Sequence, residues 1–179
     1  MPRVIASVAL ALLSTISAYG EDIELLAKAP VQLSGAGSIV AILSIASEFP
    51  GGAPNPLGIS LYCARDSRST LYTALPNPAL SGEHKMGAAQ LLGSSDTVLG
   101  AGEFRSELHG AGAYSLSVWF DDAKPLAEAI AAMQRGELVT LRLTDHDGAN
   151  TSRISISGPS LNGNQEIASA AASCAFDTL

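Results

Sequence analysis

The chain has 179 residues, 47% of them hydrophobic, 15% charged and 5% aromatic, with a formal net charge of −7 at pH 7. Such apolar content excludes a wholly disordered chain, and the length suits one domain whose core is built from Ala, Leu, Ile and Val. The acidic balance, with no cluster of Lys or Arg anywhere in the sequence, excludes nucleic acid and anionic membrane surfaces as partners, since both need concentrated positive charge.

Residues 1–20, MPRVIASVALALLSTISAYG, have the layout of an export signal. Arg3 is the positive start, Val4 to Ile16 is an uncharged core, and Ala18-Tyr19-Gly20 sets small residues around a cut before Glu21. The apolar run is shorter than the roughly 20 residues that span a bilayer. The expectation is a periplasmic or secreted protein that does not span the membrane after signal removal. The domain plan is then a signal peptide over 1–20, an N-terminal arm over 21–36 and a single β-rich domain over 37–179.

Glu21 to Ser34 reads as a short helical turn or a loose arm ahead of Pro30. Ile39 to Ala46 is a β-branched apolar run that fits a buried strand. Phe49 to Gly58, FPGGAPNPLG, holds three prolines and three glycines and reads as an exposed loop. Leu57 to Cys63 then alternates, which places Leu57, Ile59, Leu61 and Cys63 on one face of a strand. Leu71 to Leu75 returns as its hairpin partner. Ala79 to Gly112 is glycine-rich and reads as short strands joined by turns. Tyr114 to Phe120 alternates clearly and leaves Trp119 partly exposed.

Asp121-Asp122 and Pro125 mark the start of a helix carrying Leu126, Ile130 and Met133, which Gly136 ends. Leu138 to Leu143 and Arg153 to Ser157 form a second hairpin around TDHDGAN. Asn162 or Asn164 caps a last helix on which Ile167, Ala170 and Cys174 share a face. Together these elements predict an α+β domain: an antiparallel sheet or sandwich of about six to eight strands with two short helices. Cys63 and Cys174 are the only cysteines, and in an oxidising compartment they pair as one disulfide.

Chemical signatures are sparse. Asp145-His146-Asp147 reads as a solvated turn, because adjacent residues on a tight hairpin do not converge on one metal ion and no second ligand pair is near. Gly100-Ala101-Gly102 and Gly110-Ala111-Gly112 lack the helix and lysine of a phosphate loop. Asp96, Glu103 and Glu107 have no fixed separation that would make a glycosidase pair. No catalytic residue, metal ligand or cofactor is assigned. Asn150-Thr151-Ser152 is formally a glycosylation sequon.

LGISLYC, PLAEAIAAMQRGELVTLRL, RISISG and EIASAAASC follow one another in an order that resembles small exported bacterial β proteins. These are accessory envelope proteins associated with type VI secretion and, more distantly, the invasion-associated locus B group. The likeness spans Leu57 to Phe176. This chain departs from it at Ala175, which stands where the family has an aromatic residue directly after the last cysteine. The resemblance implies a disulfide-tied β domain in the periplasm and transfers no catalytic residue.

The expected function is non-enzymatic: an exported protein that binds another protein or a cell-envelope component. The expected contact surface combines Phe49, Pro50, Pro54, Asn55 and Pro56 with Trp119. The rivals are a hydrolase using His84 or His109 with a carboxylate, and an inhibitor or immunity protein against a secreted toxin.

Overall fold

A computed structural model describes residues 22–76, 84–108, 113–148 and 150–175. Residues 1–21, which include the expected export signal, and His109 lie outside the described residues. Among the described residues there are nine strands and two helices, in the order β1 (Asp22–Ala36), β2 (Ile39–Glu48), β3 (Pro54–Ala64), β4 (Ser69–Pro76), β5 (His84–Leu92), β6 (Val98–Leu108), β7 (Ala113–Phe120), α1 (Lys124–Gln134), β8 (Val139–Asp145), β9 (Thr151–Ser157) and α2 (Gln165–Cys174).

The strands close into a barrel in the order β1-β2-β3-β4-β7-β6-β5-β8-β9. Every neighbouring pair is antiparallel except β1 and β9, which run parallel from Asp22 opposite Arg153 to Leu26 opposite Ser157. This corrects the expected sheet or sandwich of six to eight strands. The missing strand was in the segment read as an arm or helical turn. There Ile23, Leu25 and Ala27 are buried while Asp22, Glu24 and Leu26 are exposed, which is the two-residue period of a strand. β1 pairs on both sides, so the sheet has no free edge.

Two further readings are corrected. Pro54, Asn55 and Pro56 begin β3 instead of sitting in a loop; only Phe49 to Ala53 turns. Proline is tolerated at the first residues of a strand, where its missing N–H breaks no central ladder bond. Leu57 does not share the inner face. Gly58 has φ +59 and resets the alternation, so Leu57 is exposed while Ile59, Leu61 and Cys63 are buried. The glycine-rich middle forms one long hairpin, β5–β6, around a short 3-10 turn at Ser94–Asp96.

Inside the barrel Leu43, Leu61, Leu71, Phe104, Leu116 and Leu141 are among the fully buried side chains, each at or below 1% exposure. The outer surface carries Lys28, Arg68, Arg105, Arg142 and Arg153 in ion pairs. An apolar interior with an ionic exterior is the reverse of a lipid-embedded barrel. Among the described residues no helix is long and apolar enough to cross a membrane.

The helices close one end. α1 follows β7, contacts β3, β4, β5, β6 and β8, and sends Leu126, Ile130 and Met133 into the core. Its backbone start at Lys124 N–H donates to Asp122 Oδ1 at 2.9 Å. Gly100 lets it approach, since a Cβ there would lie 2.3 Å from Pro125 Cγ. α2, capped by Asn164 Oδ1 accepting from the Glu166 and Ile167 N–H groups, packs on α1, β1 and β2. The expected bond between Cys63 and Cys174 is present, with a Cα–Cα distance of 5.5 Å, and ties α2 to β3.

Candidate functional site

The barrel separates the residues expected to form one contact surface. Phe49 follows the last residue of β2, whereas Trp119 sits one residue before the end of β7, close to α1. The register shows this: Trp119 lies opposite Thr70, Thr70 opposite Tyr62, and Tyr62 opposite Ile42. From Ile42 to Phe49 the strand advances by about 20 Å. Within the turn, Phe49 is half-buried against the core, and its N–H donates to Ala53 O at 2.8 Å. Asn55 is buried. Its Nδ2 donates to Thr73 Oγ1 at 3.1 Å and Gly58 O at 3.2 Å, and its Oδ1 accepts from Leu57 N–H at 3.2 Å. Asn55 therefore fastens the strand start, and only Pro50, Pro54 and Pro56 of this group face solvent.

Around Trp119 the barrel wall has a different character. Tyr62 alternates with buried Leu61 and Cys63, Tyr72 with Leu71 and Thr73, and Trp119 with Val118 and Phe120, so all three rings stand on the outside. They are half-buried. Tyr62 and Trp119 flank Thr70 in a single cross-strand row, two strand spacings or about 9.5 Å apart. Tyr72 occupies the adjoining row, between Ser60 and Ser117. Hydroxyl side chains thus fill the positions between the rings. Tyr62, Thr70 and Tyr72, with Ile39, Ala64, Ser67 and Arg68, line a shallow hollow of about 370 Å³.

Arg68 stands at the edge of this hollow and is fixed from two sides. Its Nε donates to Asp121 Oδ1 at 3.1 Å and its Nη2 to Glu103 Oε2 at 3.0 Å. The bond to Asp121, then that to Glu103, pushes the guanidinium pKa up. Nη1 has no partner among the described residues. The next cation along, Arg105, pairs with Glu107 at 2.8 Å. Charge on the wall is therefore matched locally.

Sequence reasoning found Trp119 and missed Tyr62 and Tyr72. Alternation alone would have placed both outside the barrel. What groups them with Trp119 is strand register, which follows from closure.

The interior at the end away from the helices is polar, with buried Ser47, Asn55, Thr73, Ser106 and Ser152, and with Lys85 3.9 Å from Asp145. The Ser47 and Ser106 hydroxyls are buried without a hydrogen-bond partner. A groove of about 680 Å³ runs between α1 and α2, with a floor of Ala123, Ala127, Ala131 and Ala171. Ala175, the last described residue, is among the residues that line it. His84 begins β5 opposite Glu107 in register.

The acidic turn is structural. Asp145 accepts from the Asn150 N–H at 3.2 Å and from Asn150 Nδ2 at 2.7 Å, closing the β8–β9 hairpin, while His146 and Asp147 are exposed. Among the described residues no group of three or more His, Cys, Asp or Glu is placed to hold a metal ion. Comparisons with protein-family models, with curated proteins and with solved structures give no match to this chain.

Proposed function

We propose that this is an exported, non-enzymatic binding protein of the bacterial periplasm, and that it engages a cell-envelope component through the outer wall formed by β3, β4 and β7. The observation that carries this reading is the set of half-buried rings, Tyr62, Tyr72 and Trp119, held around Thr70 on a closed and cross-linked barrel. Aromatic residues combine apolar area with a polar handle and lose little conformational freedom on binding, which is why they dominate recognition surfaces. A barrel plugged by α1 and tied by a disulfide presents them with their spacing already set, so little ordering cost is left for binding. The export-signal layout of residues 1–20 supports this reading.

The test is cosedimentation of the purified, oxidised protein with isolated envelope fractions. Wild-type protein is expected to associate, and Trp119→Ala and Tyr62→Ala to lose most of that association while keeping the wild-type thermal transition. Equal association of both variants with the wild type, or no association of the wild type with any fraction, overturns the reading.

A further inference from the structure

Resting on that reading, we infer that the ligand of the wall is a neutral saccharide, seated on Tyr62 and Tyr72 and reaching across Thr70 to Trp119. The less polar face of a pyranose ring packs on an aromatic face, while its rim of hydroxyls demands donors and acceptors close by. The wall offers both. Two rings stand about 9.5 Å apart in one cross-strand row, a span suited to a short oligosaccharide, and a third lies diagonally between them. Thr70 and Ser117 place hydroxyls between the rings. Arg68 contributes a guanidinium held rigid by Asp121 and Glu103, with Nη1 unengaged among the described residues. The Glu103 and Asp121 carboxylates beside it are acceptors.

Charge decides the class of saccharide. Arg68 is matched by two carboxylates and Arg105 by one, so the wall has no surplus positive charge to repay the desolvation of an anionic sugar or a phosphate. Size decides against a protein. A stable protein interface covers about 800 Å² on each partner with an apolar centre. Here the hollow holds about 370 Å³ and the rings are separated by hydroxyl side chains, dimensions at the lower end of small-ligand sites.

Trp119 is the only tryptophan, so its emission reports the wall directly. The full-length oxidised protein is titrated with two neutral probes, cellotriose and N-acetylchitotriose, and with the anionic trigalacturonate. At least one neutral probe is expected to shift the emission saturably, with half-saturation around 1 mM, equivalent to about −4 kcal/mol. Trigalacturonate is expected to bind at least tenfold more weakly. Tyr72→Ala and Arg68→Ala, which keep the reporter, are expected to weaken the neutral probe tenfold or more, and Tyr72→Phe to retain most of the affinity. Saturation by trigalacturonate at equal or lower concentration overturns the neutral assignment. So does the absence of saturation by either neutral probe while envelope association persists, which leaves the binding reading standing. Envelope association that is abolished by protease treatment of the envelope assigns the wall to a protein partner and also overturns the inference. Loss of both envelope association and saccharide binding in the wild type removes the binding reading itself.

Discussion

Replacing both cysteines, Cys63→Ala with Cys174→Ala, tests how the barrel and its plug are held together. The bond joins the helix-end terminus of β3 to the last residue of α2, across 111 positions of sequence. A cross-link closing a loop of about 100 residues removes chain entropy from the unfolded state worth about 4.7 kcal/mol. For a domain of this size each kcal/mol shifts Tm by about 2–4 °C, so the double variant is expected to melt roughly 10–20 °C below the oxidised protein. Both residues are buried, at 0% and 2% exposure, so the two small voids add to the loss. The assay is thermal unfolding followed by far-ultraviolet circular dichroism, with the reduced wild type as a second comparison. A drop of less than about 3 °C would refute the reasoning, because α2 would then be held by its contacts through Ile167 and Ala170 alone.

Gly100→Ala places a Cβ 2.3 Å from Pro125 Cγ, a rigid ring at the start of α1, and is expected to cost about 1–3 kcal/mol in urea unfolding by lifting the plug. Asn55→Ala leaves the Leu57 N–H without its side-chain acceptor and removes the Nδ2 donor to Thr73 Oγ1, which keeps its own bond to Gly58 O, and is expected to cost about 1–3 kcal/mol, with Pro54 and Pro56 still present. The hydrogen bond from Arg153 is the main cause that holds the Asp96 carboxyl below its usual pKa. Its folded-state value is then lower than its unfolded one, so the group stabilises the fold above the unfolded pKa and loses that contribution as pH falls through the folded value. Asp96→Asn is expected to lower stability at neutral pH and to converge with the wild type in acid, as read from urea midpoints across the pH range; a constant difference at every pH contradicts the assignment.

Most elements from Tyr114 onward were legible in the sequence because their signals are local. YSLSVWF alternates, Asp122 and Pro125 open α1, Gly136 closes it at φ +72, and Asn164 caps α2. Closure was not legible. The β1–β9 pairing joins residues far apart in sequence, and in the β1 segment Ile23, Leu26 and Ala27 fit one face of a helix while Ile23, Leu25 and Ala27 fit one face of a strand. Pro54 and Pro56 argued for a loop, yet the strand begins at them. The middle hairpin was obscured by Gly87, Gly100 and Gly102, where neighbouring groups come too close for a side chain. The same limit applied to the wall. Trp119 stood out by composition, but its neighbours Tyr62 and Tyr72 are set beside it only by antiparallel register through Thr70 and Ser117.

The most direct measurement of the central claim is an amide chemical-shift map of the oxidised, isotope-labelled protein titrated with solubilised envelope glycan. The largest shifts are expected at Tyr62, Thr70, Tyr72 and Trp119, with the Trp119 indole N–H among them. Shifts confined to the α1–α2 groove or to the Phe49–Ala53 turn would contradict it.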